Sequence, residues 1–454
     1  MTQAGTTAVY RIAAALIWAL AIWHSWLARG LFVDGSAALL MMMHKGGYAL
    51  FYDTRQTLMT VTQTPAAVAL MLGATDTHLL ARLLSVGLFF VPTAYYHASL
   101  WRARHDPALM GAVVLAIAVV FLPTSFFIMG EYNTILAAVL FAVLVLATAD
   151  RPTLGDGAML ILTALVLMRS YETMLAFGLL VAGLAVWRLR ISGRRDAASL
   201  LLGVAAALFL ASAGLSLQAM VGPHAPGHLR ETLNGIRWFW ANLQFVLPLA
   251  ALLIVALAGL LAPRLLESPR LYLLPALLLA LLALSPLLWL GDGTLRPYAK
   301  GHYHSRMVAS MVTAAIAIAI WLYALRSASA PKALVVLARP DNGRRLMLFG
   351  LAALVAALPA DILLSELWRR SVLVFQDTIA ARPGLIPVEE TAFNRDPYRY
   401  LIEDWALSSE SLALRRNPRD GIIMPPRGFA HWQFIDATKP WITNIDRFRW
   451  DDGR

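Results

Sequence analysis

The chain has 454 residues, of which 59% are hydrophobic and only 14% charged, and its mean hydropathy is +0.64. No soluble core can use that much apolar surface, so the composition predicts an all-α polytopic membrane protein. The formal net charge of +11 would suit a nucleic-acid binder, but the Arg residues gather at the ends of apolar runs, and the absence of Cys excludes a disulfide framework, a thiol nucleophile and Cys-ligated metal.

In chain order, Ala8 to Leu27 is the first predicted span; its lead lacks the basic start of a signal peptide, so it reads as a retained anchor. Next comes RGLFVDGSAALLMMMHKGGYALFYDTR, residues 29–55, which carries Asp34 a few residues past the apolar run. Its Met- and Leu-rich part is too short and interrupted to span and is expected to lie along the interface as a helix. Further spans are predicted over Leu83–Leu100, Leu109–Met129 and Ile135–Ala149, with Glu131 at the tip of the hairpin GEYNT.

As one helix, Gly157 to Trp187 would reach about 46 Å, well past a hydrocarbon core of about 30 Å. It is therefore expected to break into two short spans meeting at Arg169, Ser170, Tyr171 and Glu172. Ser199–Ser216, Phe245–Leu261, Leu271–Leu290, Met307–Leu325 and Leu346–Leu364 complete a set of about eleven transmembrane helices.

Arg102, Arg104, Arg151, Arg188, Arg190, Arg194, Arg195, Arg264, Arg270, Arg326, Lys332, Arg339, Arg344 and Arg345 fall on one side of this scheme, while GEYNT on the other carries no cation. That bias predicts a multi-pass inner-membrane protein with a cytoplasmic amino terminus and an outer, periplasmic carboxy-terminal region. Residues 1–364 would form the membrane domain. Residues 365–454, charged and containing Pro and Trp, would form a small mixed α/β domain on the outer face.

The outer loops then collect the residues able to do chemistry. They are Asp34 and Asp53, then Glu131, then Arg169 with Tyr171 and Glu172, then His224, His228, Arg230, Glu231, Arg237 and Trp240. The last such loop adds Asp292, Arg296, Lys300, His302, His304 and Arg306. Acids facing cations suit displacement of a phosphate leaving group, an acid activating the nucleophile and cations holding the departing oxygens. Arg296, Lys300 and Arg306 are expected on phosphate, because cations on an outer loop oppose the topology rule.

Each of these residues also has a plainer role open to it. Asp34 fits the N-cap of a helix beginning at Gly35, Glu131 a solvated hairpin tip, and Asp53 beside Arg55 a structural acid. Arg169 and Glu172 could pair to make the helix break tolerable, and Trp238 to Trp240 fit either an aromatic belt or sugar stacking. His302 and His304, two apart and without a third ligand, are a weak metal signal.

The order of these features resembles the GT-C glycosyltransferases: a first span followed by an outer acid, an interfacial helix, ARLLSVGLFF, the acid-bearing MGEYNTILAAVLF and the mid-membrane LMRSYE. The resemblance covers the layout of roughly the first 190 residues. It implies transfer of a sugar from a polyprenyl-phosphate-linked donor to a glycan, lipid or protein acceptor, within membrane lipids and without nucleic acid. It also implies Asp34 as catalytic base and Glu131 as an assisting acid or a contributor to a divalent metal site, Mg or Mn. No paired Asp-Asp or Asp-Glu motif surrounds Asp34, so the residues themselves assign no metal. A surface-polysaccharide polymerase or ligase, relying more on outer Arg residues, and a transporter of lipid-linked saccharide are the competing classes. A transporter should carry paired charges in repeated halves, and the chain has no internal repeat strong enough to argue from.

Overall fold

The apolar runs fold as helices wherever they are long enough to satisfy their own backbone. The computed structural model describes residues 3–50, 53–125, 131–149, 151–193, 196–221, 243–291, 302–325, 332–395, 397–426 and 445–451. The helices are α1 (Gln3–Trp26), α2 (Asp34–Lys45), α3 (Gln56–Met71), α4 (Thr77–Ala103), α5 (Pro107–Thr124), α6 (Glu131–Thr148), α7 (Leu154–Val166) and α8 (Met174–Ser192). They continue as α9 (Ala197–Val221), α10 (Leu243–Leu261), α11 (Leu273–Gly291), α12 (His302–Leu325), α13 (Lys332–Leu337), α14 (Pro340–Ala381) and α15 (Leu407–Leu414). Among the described residues ten of these are long and apolar enough to cross a membrane, and the chain is an all-α polytopic membrane protein.

The expected eleven spans resolve into those ten and α7, whose 13 residues reach about 20 Å and fall short of the hydrocarbon thickness. The charged RSYE does interrupt Gly157–Trp187, giving α7 and α8. α3, a helix of 16 residues, had no counterpart in the sequence pattern. α3 is threaded with Thr, Gln and Pro65, which hide its period, yet Thr62 and Gln63 are buried. Gln63 satisfies the Ala49 backbone twice, accepting from its N–H at 2.9 Å and donating to its carbonyl at 3.1 Å.

The last long helix also differs from expectation. α14 has 42 residues and runs through Ser365 without a break. The change of composition there is a change on the helix surface, where Glu366 bonds Arg369 at 2.7 Å and Arg370 at 2.9 Å, one turn apart on the same face.

The chain divides into two units. One comprises Met1–Trp18, Tyr52–Leu58 and Pro92–Asp361; the other comprises Ala19–Phe51, Met59–Val91 and Ile362–Arg454. In the first, α6 is apolar all round and is buried from Tyr132 to Ala147, with α12 and α8 packed on it. A π-helical turn, Ile117–Phe121, takes up the missing hydrogen bond and ring clash of Pro123 in α5. At the far end of α6, Arg102 bonds Thr148 at 2.6 Å and pairs with Asp156 at 3.0 Å, while Thr153 and Asp156 form the capping box that starts α7. Leu200, Leu257, Leu260 and Leu277 on α9 to α11 are exposed, as lipid-facing side chains should be.

In the second unit α2 is helical as expected, but its apolar face is covered. Leu39, Leu40, Met42 and Met43 are buried, and the helix packs against α15 from the carboxy-terminal region. α3 and α4 cross closely at Gly87, where a Cβ would lie 1.7 Å from the Thr62 carbonyl oxygen. β1 (Leu385–Pro387) and β2 (Ile422–Met424) form a parallel pair with Ile386 opposite Ile423. Residues 75–78 are tied to 449–451 by the Thr77 N–H to the Arg449 carbonyl at 2.8 Å and by His78 stacked on Trp450 at 4.4 Å.

Candidate functional site

The helix break between α7 and α8 builds a polar cluster in the first unit. A break inside an apolar layer frees carbonyls that must find donors. Ser212 and Ser216 of α9 donate to the carbonyls of Leu167 at 2.7 Å and Tyr171 at 3.0 Å, and the Thr57 N–H donates to the Arg169 carbonyl at 3.1 Å. The freed turn can then hold Tyr171 inward without unsatisfied backbone.

Tyr171 is buried and receives two cations. The Arg55 guanidinium carbon lies 4.2 Å from its ring centroid, and Arg306 stands 5.3 Å from the ring while donating to its hydroxyl. Tyr132, the second residue of α6, packs edge-on against Tyr171 with centroids 5.5 Å apart; its hydroxyl bonds the Arg306 carbonyl and Ser310. Arg306 is 5.4 Å from the Tyr132 ring as well. Burial pushes the Tyr171 phenol up, while Arg306 and Arg55 pull it partly back and Glu172 and Glu131 oppose them. Tyr171 is therefore a neutral donor at physiological pH, set between two permanent cations. Glu131 opens α6 beside Tyr132 and is half-buried.

No family model, curated protein or solved structure matches the chain. Two guanidinium groups and the Tyr171 phenol can donate hydrogen bonds to phosphate oxygens, whereas the Tyr132 hydroxyl is committed to the Arg306 carbonyl; two carboxylates stand close enough to influence them.

Of the residues expected at a site, the structure brings Glu131, Tyr171, Glu172 and Arg306 into one neighbourhood. Arg169 is adjacent but turns outward, its guanidinium bonding Gln56 at 2.9 Å. The expected Arg169–Glu172 pair does not form: Glu172 stands 3.9 Å from Arg55 instead. These two turn residues, three positions apart, take different partners, and the entry to α3 supplies both.

Arg296, Lys300, Arg237 and Trp240 lie outside the described residues. His302 and His304 lie in the first turn of α12, with their side chains outside the description. Among the described residues no group of three or more His, Asp or Glu is arranged to hold a metal ion.

Asp34 belongs to the second unit. It is half-buried and begins α2 itself; the residue at the cap position is Val33, so Asp34 is not the cap of a helix starting at Gly35. The turn leading to it is tightly wound. Ala28 and Val33 both have left-handed φ, 50° and 54°, at a cost of about 1–3 kcal/mol each. Arg29 between them is only 1% exposed, donating to Ser365 at 2.9 Å with its guanidinium 5.6 Å from the Phe89 ring. The Gly30 N–H donates to Ser85 at 2.9 Å, and the Trp368 indole N–H donates to the Leu27 carbonyl at 3.1 Å.

Sequence reasoning missed Arg55, Tyr132, Arg29 and Glu410. Tyr132 was signalled by standing next to Glu131. Glu410 was signalled as the one acid in the otherwise uncharged LSSESLAL, where a carboxylate needs a dedicated partner.

Proposed function

We propose that the chain is a membrane glycosyltransferase of the GT-C kind, moving a sugar from a polyprenyl-phosphate carrier to an acceptor hydroxyl on the outer face of the inner membrane. The supporting observation is the cluster of Arg55, Arg306, Tyr132 and Tyr171 at the Glu131 end of the membrane helices. Cations held on aromatic rings at the end of apolar helices suit a phosphate whose prenyl tail stays in lipid. In this reading the amino terminus is cytoplasmic, and the cluster and the region after α14 face the periplasm.

The reaction breaks the bond between the anomeric carbon and phosphate oxygen, and the phosphate leaves with the electron pair. The acceptor oxygen bonds the anomeric carbon and its proton passes to a carboxylate. Arg55 and Arg306 stabilise the charge growing on phosphate, and the neutral Tyr171 phenol donates to it. Asp34 is the base by the GT-C resemblance; Glu131, within the electrostatic reach of Tyr171, is the alternative offered by the geometry.

A polysaccharide polymerase or ligase is the second reading, favoured by the predominance of Arg and Tyr over acids in the cluster. Transfer of radiolabelled sugar by the purified chain tests both. Turnover of a polyprenyl-monophosphate sugar supports the first, turnover only of a diphosphate-linked glycan supports the second, and no transfer from either rejects both.

A further inference from the structure

We propose that Glu410 is the positioning residue that aims Asp34, acting through the backbone of Val33; the proposal rests on reading Asp34 as the base. Val33 has φ 54° and ψ −103°, a conformation that β-branched residues avoid because the side chain crowds the backbone. Something must hold it there, since rotation of Val33 to an ordinary conformation would turn the Asp34 side chain in another direction.

The hold comes from α15, almost the whole chain length away. The Glu410 carboxylate accepts from the Val33 N–H at 3.2 Å. On the other side of the same residue, the Val33 carbonyl accepts from the Ser36 hydroxyl at 2.8 Å, and that hydroxyl meets the Ser409 hydroxyl at 2.7 Å. Neighbouring residues of one helix thus secure both polar groups of Val33, Glu410 directly and Ser409 through Ser36.

Burial gives this contact its significance. Glu410 is 1% exposed, and every residue of α15 is buried. A carboxylate is a costly occupant of such a helix, and an apolar side chain would pack there without that cost. Ser409 bonds the Ala406 carbonyl at 2.8 Å, and Ser411 receives the Ile423 N–H at 2.9 Å, so the face presented to Val33 is itself fixed.

The test uses the full chain in detergent, with Glu410→Gln, Glu410→Ala, and Glu410→Ala in a Val33→Gly background. Gln keeps an oxygen able to accept from Val33, so Glu410→Gln should retain turnover within a few-fold of the parent. Glu410→Ala should lower kcat about tenfold or more with donor KM little changed, the result of a misdirected base. Glycine adopts the Val33 conformation without strain, so the same Ala change should cost markedly less in the Val33→Gly background. That background also supplies the comparison if Glu410→Ala alone does not accumulate.

Hydrogen exchange of the peptide covering residues 30–36 reads the contact without any assay of transfer. Glu410→Ala should speed its exchange and Glu410→Gln should not. Unchanged exchange in Glu410→Ala overturns the proposal, as does a kcat loss in Glu410→Gln equal to that in Glu410→Ala. If the parent transfers no sugar, the glycosyltransferase reading fails while exchange still decides whether Glu410 holds Val33.

Discussion

Arg55 and Tyr171, far apart in sequence, lie face to face, with the guanidinium carbon 4.2 Å from the ring centroid. The hydroxyl of that ring is meanwhile bonded by Arg306. One phenol, neutral at physiological pH, therefore sits between two cations that would otherwise repel each other. Deprotonation would pair a phenolate with both cations, so at neutral pH their charge is left for an incoming anion.

Removing one cation should weaken donor use without unfolding the chain. Arg306→Ala is expected to raise donor KM about 10- to 150-fold, the equivalent of about 1.5–3 kcal/mol for a charge-assisted hydrogen bond. Tyr171→Phe keeps the ring under Arg55 and loses only the hydroxyl, so its effect should be several times smaller. Initial-rate kinetics over a range of donor concentrations measure both; equal KM in Arg306→Ala and the parent removes the cluster from donor binding.

The crossing of α3 and α4 gives a stability prediction independent of function. A Cβ at Gly87 would lie 1.7 Å from the Thr62 carbonyl oxygen, so Gly87→Ala must push the helices apart and should cost about 1–3 kcal/mol or more. Gly214 in α9 has nothing within 4 Å of the same atom, and Gly214→Ala should be neutral or stabilising by roughly 0.5–1 kcal/mol. Thermal unfolding in detergent distinguishes the two, and equal melting temperatures would contradict the close crossing.

The helix pairs and their turns were largely legible, because they depend on nearest neighbours in the chain. The interruption of Gly157–Trp187 follows from length and from charge at its centre, and the structure breaks there. For Tyr171, Glu172, Arg306 and Glu131 the sequence offered only the expectation of a shared set of outer loops, not their clustering. Which residues touch was not legible: Glu172 faces Arg55 and not Arg169, a choice made by the direction of the α3 entry. The contact of Glu410 was illegible for a stronger reason, although the acid itself stands out in LSSESLAL. Its partner is the backbone N–H of Val33, which carries no side-chain signature, and the two are 377 positions apart. The covering of α2 by α15 has the same origin, since an apolar face reads alike whether lipid or protein meets it.

Orientation can be tested with reporters placed where the helices end. α14 continues to Ala381, so a fusion at Ser365 would sit within a helix, and Gly384 is the better point. A fusion after Arg195, in the basic stretch between α8 and α9, should be cytoplasmic, and one after Gly384 exterior. Activity of both reporters on the same side would contradict the parity of the spans and with it the proposed periplasmic placement of the cluster.

The choice between the two acids is the sharpest question about the chemistry. Asp34 starts α2, and the strained Val33 before it fixes its direction. Glu131 likewise begins α6, next to Tyr132 and within the field of Tyr171, so helix position alone does not separate them. Asp34→Asn keeps the shape and removes the charge. If Asp34 is the base, turnover should fall about 10²-fold or more while donor KM stays near the parent value. Glu131→Gln should then lower turnover less, through altered charge around the Arg55 and Arg306 cluster, and mainly change donor KM. Single-turnover rates with preloaded donor separate the chemical step from binding. Near-normal turnover in Asp34→Asn with loss in Glu131→Gln would assign the base to Glu131, leaving the strained turn at Val33 as a device of folding alone.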